Sequence, residues 1–179
     1  MRPPDPSRNS NPDAEHPEAG HSGRATVHAS CVVVGECGVL IRGPSGSGKS
    51  TLARRLVADA RRDGRFAALV ADDRVKLTPT GGRIIAEVPP RIAGMLEVRN
   101  IGIVKVAFEP ACIVRLVVDC EKAYPARMPD PAAQRADICG IVLPRLSLCG
   151  SAAISPDILD FLMTQHAFSG FVDDEMMKT

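Results

Sequence analysis

The chain has 179 residues and a formal net charge of +1, from 22 basic and 21 acidic residues. This length predicts one core with tails, and the balanced charge argues against binding to nucleic acid or anionic lipid through a global field. Aromatic residues make up only 3% of the chain, which argues against a base-stacking platform and leaves the packing to Val, Leu, Ile and Ala.

The composition also bears on the cellular compartment. No apolar run reaches the roughly 20 residues of a membrane span, and we identify no cleavable apolar leader. The six cysteines contain no C-x-x-C pair. We therefore expect a reduced, cytoplasmic protein without a membrane or nucleic-acid partner.

In chain order, residues 1–25 are rich in proline and polar side chains, and we expect a disordered tail there. Two β-prone segments, 31–34 and 39–41, flank a glycine-containing turn and predict two strands with a tight connection. Apolar residues then recur at helical spacing and predict a helix over 49–62. Strands are predicted at 66–71, 101–107 and 113–118, followed by a proline-marked loop and a short helix at 157–166.

The segment between the second strand and the helix satisfies G-x-x-x-x-G-K-[ST], the phosphate-binding P-loop. Glycines let backbone N–H groups converge on phosphate oxygens, and the helix N-terminus adds a partial positive charge of about half a unit. Lys49 is predicted to reach the β and γ phosphates and Ser50 to bind Mg²⁺. The predicted nucleotide-binding residues are Gly43, Pro44, Ser45, Gly46, Ser47, Gly48, Lys49, Ser50 and Thr51.

Two adjacent carboxylates, Asp72 and Asp73, follow the apolar strand at 66–71. Phosphoryl transfer requires metal ligands and a base for the acceptor hydroxyl. Adjacent side chains on an extended chain point in different directions. One carboxylate can therefore hold the metal while the other accepts a proton, and the sequence leaves open which does which.

Several motifs together resemble the catalytic domain of the HPr kinase/phosphorylase family. His28 lies fifteen residues before Gly43, and Gly-Val-Leu-Ile-Arg-Gly leads into the P-loop. Residues 69–75 read Leu-Val-Ala-Asp-Asp-Arg-Val. Residues 96–103 read Leu-Glu-Val-Arg-Asn-Ile-Gly-Ile, which is similar to the family signature L-E-I-R-G-[LI]-G-I with Asn100 in place of glycine.

The resemblance implies a strand-rich α/β P-loop domain of the HPr kinase and phosphoenolpyruvate carboxykinase-like type, placed at 26–150. From the helix predicted at 157–166, we expect a helical tail at 151–179 after this domain. It implies ATP and Mg²⁺ as cofactors, HPr or a related phosphocarrier protein as the substrate, and a homo-oligomer, often a hexamer. The implied activity is ATP-dependent serine phosphorylation.

Carried over by position, the resemblance implies His28 and Lys49 as active-site residues and Asp72 or Asp73 as the base. It implies Ser50 and Glu97 as metal ligands, with Asp73 as a further candidate. Tyr124-Pro125-Ala126-Arg127-Met128 lies where the family has Y-D-R-L, so Arg127 is a candidate for stabilising phosphate charge.

The sequence also departs from the family pattern. The V-R-P-G-R-N loop associated with dephosphorylation is represented only by Leu143-Pro144-Arg145-Leu146, which weakens the prediction of reverse phosphorolysis. We expect a short form without the usual amino-terminal domain. Two alternatives stay open, namely a non-catalytic ATP-sensing regulatory module and a small-molecule P-loop kinase.

Overall fold

Strands make up most of the computed structural model, which describes residues 23–98, 100–122, 128, 130–149 and 158–162. Within these ranges one long helix interrupts the strands. The elements in chain order are β1 (Ala25–Val34), β2 (Cys37–Arg42), α1 (Lys49–Arg62), β3 (Ala67–Ala71), β4 (Arg74–Thr80), β5 (Arg83–Glu87), β6 (Met95–Val98), β7 (Gly102–Lys105), β8 (Ala111–Glu121), β9 (Arg135–Ile138) and β10 (Ile141–Cys149).

The main sheet has the order β2-β1-β4-β5-β8-β10-β9, and an additional pairing of β2 with β8 closes five strands into a ring. Alternate side chains of a strand point to opposite faces, so one set of residues fills the inside of this ring. The apolar cluster there includes Ala29, Cys31, Val33, Leu40, Val75, Leu77, Ile84, Ala86 and Val114.

Helix α1 covers the other face of β1 and β2, and its bounds agree with the predicted helix at 49–62. Leu52, Leu56 and Ala60 recur along its buried face and are fully enclosed. They pack in a second apolar cluster that includes Val32, Ile41, Leu69, Leu116 and Val118. Truncating a buried leucine such as Leu56 to alanine typically costs about 2–5 kcal/mol of unfolding free energy.

Strands β3 and β4 both pair with β1, one after the other. Strand β3 lies against the second half of β1, and β4 lies against its first half. The chain must bend where it passes from one pairing to the other, and residues Asp72 and Asp73 form this bend. Asp73 adopts a left-handed backbone conformation with φ 72°, which non-glycine residues other than Asn and Asp rarely adopt.

Strands β2, β8 and β10 run parallel, so their carboxyl ends meet at one edge of the sheet. Ligands of open α/β sheets commonly bind outside the carboxyl ends of the parallel strands. The chain leaves β2 at this edge, after Arg42, and enters the segment that connects to α1. The topology therefore places the predicted phosphate-binding segment at this edge.

Several predicted strands differ in extent from those observed. Strand β1 begins at Ala25 rather than at 31, β7 covers only Gly102–Lys105 of the predicted 101–107, and β8 extends beyond 113–118 at both ends. Phe66 lies outside β3 and is exposed. The strands β4, β5, β6, β9 and β10 were not predicted, and residues 143–146, matched to a family loop, lie inside β10.

The end of the chain is described in part. Residues 158–162 are helical, as predicted. The rest of the predicted 157–166 helix and residues 1–22 of the predicted tail at 1–25 lie outside the described residues. In the part of the chain that the structure describes, no helix is both long and apolar enough to cross a membrane.

Candidate functional site

The segment Gly43–Ser50, here called the 43–50 loop, joins β2 to α1 and depends on glycine conformations. Gly43, Gly46 and Gly48 all have positive φ angles, of 144°, 77° and 96°. A Cβ on Gly43 would lie 2.4 Å from the Cys120 carbonyl oxygen, so only glycine lets the loop pack against the end of β8. No atom lies within 4 Å of a Cβ built on Gly46. The loop is therefore anchored at its start and open at its middle.

The start of α1 has free donors for an anion. The N-cap residue Gly48 provides no side-chain hydrogen bond to the first turn, and that turn holds no acidic residue. The first backbone N–H groups of a helix lack intrahelical partners. The Ser47 Oγ is also buried without a hydrogen-bond partner. These groups suit the phosphates of a nucleotide, which require converging donors and a positive local potential.

Lys49 is the one basic side chain buried among the described residues. Its Nζ donates to the Gly43 carbonyl at 2.8 Å and to the Pro44 carbonyl at 3.1 Å. Burial lowers the pKa of Lys49, and the negative charges of Asp72 and Asp73 offset part of that shift. The ammonium group is thus held against the loop, where a phosphate would give it a full negative counter-charge.

Asp72 is buried, at 5% exposure, and accepts hydrogen bonds from two serines. Its Oδ1 accepts from Ser30 Oγ at 2.5 Å and from Ser50 Oγ at 2.9 Å. Because the Ser50 hydroxyl donates to Asp72, its oxygen lone pairs remain available to a cation. This pairing of a loop serine with a carboxylate is the arrangement that holds Mg²⁺ in P-loop enzymes.

Asp73 has the opposite surroundings. Its carboxylate is 71% exposed and lies 3.4 Å from Nε2 of His28, which is 53% exposed on β1. Asp73 has a left-handed backbone conformation, with φ 72°, and its carboxylate lies beside His28. The structure brings His28 and Asp73 together at the surface, next to the carboxylate that contacts Ser50.

The signature segment 96–103 contributes residues to β6 and β7, which pair with each other, and Leu96 and Val98 of β6 are buried. The backbone N–H of Glu97 donates to Asp72 Oδ2 at 3.4 Å, so the hairpin contacts the site through its main chain. The Glu97 side chain is exposed. Asn100, which stands where the family has glycine, has φ 66°, a conformation that asparagine tolerates.

Among the predicted metal ligands, Ser50 contacts Asp72 through its side chain, while Glu97 does so only through its backbone. Within the described residues, no three His, Cys, Asp or Glu side chains form a group that could hold a metal ion.

The remaining predicted site residues are not among these metal ligands. Arg127 lies outside the described residues. Thr51, Pro44 and Ser45 are exposed around the 43–50 loop.

An ion-pair cluster that sequence reasoning missed lies beside the loop. Asp119 on β8 accepts hydrogen bonds from Arg42 on β2 and from Arg145 on β10. Burial by itself raises the pKa of Asp119, but the two guanidinium groups outweigh it and lower the pKa. The neighbouring Cys120 has its pKa raised to about 11 by burial, so this thiol is neutral at pH 7.

Comparisons with known proteins bear on the family of this chain. The model of the HPr Serine kinase C-terminal domain matches residues 21–115, more than half of the chain. An HPr kinase/phosphorylase of Limosilactobacillus reuteri is 32% identical over 136 residues, which cover 70% of this chain and 41% of that protein. One of Clostridium beijerinckii is 40% identical over 80 residues, which cover 45% of this chain and 24% of that protein.

The fold also matches a solved structure. The Hpr(Ser) kinase/phosphatase from Coxiella burnetii superposes with a TM-score of 0.64 at 24% identity, covering 82% of this chain and 95% of that one. This match supports the fold alone, and the chain spans less than half the length of the two curated relatives. On the family match and the fold together, the chain belongs to the HPr serine kinase C-terminal domain family, as the sequence motifs predicted.

Proposed function

We propose that this protein is an ATP-dependent protein serine kinase whose acceptor is HPr or a related phosphocarrier protein. The observation that carries the proposal is the pair of adjacent carboxylates in different surroundings. Asp72 is buried against Ser50 of the 43–50 loop, and Asp73 is exposed beside His28. One carboxylate therefore faces the nucleotide and the other faces solvent, where an acceptor protein must approach.

The nucleotide side consists of Lys49, Ser50 and Asp72. Mg²⁺-ATP supplies the phosphoryl group and an electrophilic phosphorus when it is bound. Lys49 binds phosphate oxygens with a charge that burial leaves poorly solvated, so the exchange of carbonyl partners for phosphate is favourable. Ser50 offers its hydroxyl oxygen to the cation while Asp72 accepts the hydroxyl proton in a hydrogen bond.

The acceptor side consists of His28 and Asp73. Asp73 accepts the proton of the incoming serine hydroxyl, as a general base does in other protein kinases. His28 holds the Asp73 carboxylate from β1. We assign the metal side to Asp72 rather than to Asp73, because Asp72 contacts the loop serine and Asp73 has no such contact among the described residues. Glu97 and Arg127 stay predictions from the resemblance.

A direct assay tests this function. The protein is incubated with γ-labelled ATP, Mg²⁺ and the HPr-like proteins of the same organism, and labelled protein is mapped by mass spectrometry. We expect label on one serine of one acceptor, with only background labelling by a Lys49→Met variant.

Other outcomes separate the alternatives. Intact nucleotide binding without any labelled product would contradict the kinase and favour an ATP-sensing module. A labelled metabolite in place of a labelled protein would favour a small-molecule kinase. Adding inorganic phosphate and phosphorylated acceptor tests the reverse reaction separately.

A further inference from the structure

The point where the 43–50 loop leaves the sheet is fixed by a two-pronged ion pair. Arg42, the last residue of β2, donates from Nε to Asp119 Oδ1 at 2.7 Å and from Nη2 to Asp119 Oδ2 at 2.8 Å. These two residues are also direct partners in the parallel ladder of β2 and β8. Paired contacts between a guanidinium and a carboxylate fix orientation as well as distance, so Arg42 has little freedom to move.

The same carboxylate holds a second arginine. Arg145 on β10 donates from Nε to Asp119 Oδ2, from Nη2 to Glu121 at 3.1 Å and from Nη1 to the Ala133 carbonyl at 3.1 Å. The Asp119 side chain is only 14% exposed. One largely enclosed carboxylate thus ties together the three parallel strands at the edge where the loop begins.

This cluster is coupled to the loop through the next residues in the chain. Gly43 follows Arg42, and Cys120 follows Asp119. A Cβ on Gly43 would lie 2.4 Å from the Cys120 carbonyl oxygen and 2.7 Å from Ser47 Oγ, so the loop packs directly against β8. The Gly43 carbonyl is also the nearer partner of Lys49. A shift of Arg42 relative to Asp119 therefore displaces the loop and the lysine together.

We infer that Asp119 is a positioning residue for nucleotide binding, because it fixes Arg42 and thereby the start of the 43–50 loop and the partner of Lys49. Asp119 itself does not need to touch the nucleotide. The inference rests on the proposed function in that it requires the 43–50 loop to bind nucleotide. It adds a determinant that lies outside every motif of the sequence.

The test is the affinity for Mg²⁺-ATP of the Asp119→Asn variant, measured by calorimetry well below its unfolding temperature. Asparagine keeps the shape of the side chain but removes its charge and one acceptor. We expect about tenfold weaker binding of Mg²⁺-ATP. Residues that orient a ligand-binding group without touching the ligand typically change affinity by about 10-fold to 100-fold. The KM for the acceptor protein should stay unchanged, and Asp119→Glu should restore part of the affinity.

Two further variants separate positioning from general stability. Glu87→Gln removes a cross-strand ion pair with Lys76, 3.3 Å long, on β4 and β5 away from the loop. It should leave the affinity for Mg²⁺-ATP within twofold of wild type. Arg42→Gln leaves Asp119 paired with Arg145 and should weaken binding as Asp119→Asn does, with no further loss in the double variant. It also provides the test if Asp119→Asn does not fold.

An Asp119→Asn or Arg42→Gln protein that unfolds at lower temperature but binds Mg²⁺-ATP within twofold of wild type would overturn the inference. Wild-type phosphoryl transfer in the same experiment would leave the proposed function intact. Failure of the wild-type protein to bind nucleotide at all would overturn both.

Discussion

The nucleotide side and the acceptor side of the site differ in how completely their polar groups are enclosed. On the nucleotide side, Lys49 and Asp72 are buried at 6% and 5% exposure, and each has at least two hydrogen-bond partners. On the acceptor side, His28 and Asp73 are mostly exposed and contact each other at 3.4 Å. The polar groups of the nucleotide side are held in place by contacts within the fold. Those of the acceptor side are exposed, so that a bound partner protein could cover them.

This difference follows from where the chain bends. Asp72 is the first residue of the bend, directly after β3, and accepts a hydrogen bond from Ser30 of β1. Asp73 is the second residue of the bend and lies beside the exposed His28 in the first half of β1. A single residue step therefore moves a carboxylate from a buried position to the surface. The proposed kinase would use the buried environment for the nucleotide and the exposed one for the acceptor protein.

On the nucleotide side, the largest effect is expected from removing the positive charge of Lys49. Lys49→Met keeps the aliphatic length but removes the ammonium group, and we expect phosphoryl transfer to fall by about 1000-fold because a preorganised positive charge is lost. Initial rates with labelled ATP measure this. Arg54→Met on the exposed face of α1 is the control and should keep the wild-type rate. Wild-type activity of the Lys49→Met protein would contradict the assignment of Lys49 to nucleotide binding.

The buried carboxylate should matter for the metal. Asp72→Asn removes the charge that faces Ser50, and we expect about 10-fold to 100-fold weaker Mg²⁺-dependent nucleotide binding. Titration of nucleotide at several Mg²⁺ concentrations measures this. Asp137→Asn alters a carboxylate that contacts only the Gly140 backbone in the β9–β10 turn among the described residues, and its Mg²⁺ dependence should not change. Equal effects of the two variants would contradict the metal assignment.

A smaller effect is expected from His28→Gln. The contact with Asp73 is exposed, and exposed contacts of this kind contribute at most about 1 kcal/mol, so we expect a rate about fivefold lower with unchanged affinity for Mg²⁺-ATP. Thr26→Val, two residues earlier on the exposed face of β1, is the control. A loss of nucleotide affinity in His28→Gln would show that the two sides are not separate.

The smallest effect concerns stability and pH. The pKa of Asp119 is lowered in the folded protein, so the ionised carboxylate stabilises the fold above the unfolded pKa of about 3.9, and this contribution is lost as pH falls through the folded pKa. Urea unfolding should therefore show a difference between wild type and Asp119→Asn at pH 6 that shrinks at pH 3. Asp63→Asn, at the exposed end of α1, should show little difference at either pH. A difference that grows on acidification would contradict the ion-pair description.

Local signals in the sequence predicted the glycine-rich loop and helix α1. The glycines of the 43–50 loop and the apolar spacing of α1 are features of consecutive residues, and the observed helix bounds agree with the prediction. The family could be predicted because its motifs are also short runs of consecutive residues, and the family match confirmed it. The acidic pair was found for the same reason, since it directly follows an apolar strand.

The contacts that the sequence did not predict join segments that are far apart in the chain. Ser30 and Asp72 are 42 positions apart, and Arg42 and Asp119 are 77 apart, so no local pattern indicates either contact. Which aspartate is buried depends on the register of β3 and β4 on β1. Strands β4, β5, β9 and β10 contain polar residues, and β4 and β10 also contain a proline, which weakens a strand pattern.

The central claim, that Asp72 serves the nucleotide and Asp73 the acceptor, is tested most directly by single-turnover transfer from bound Mg²⁺-ATP to the acceptor serine. Asp73→Asn should bind Mg²⁺-ATP within twofold of wild type and transfer about 100-fold to 10,000-fold more slowly, the usual contribution of a general base. Asp72→Asn, measured in the same experiment, should bind Mg²⁺-ATP more weakly than the wild-type protein does. An Asp73→Asn protein that transfers at the wild-type rate, or that loses nucleotide binding as Asp72→Asn does, would contradict the account.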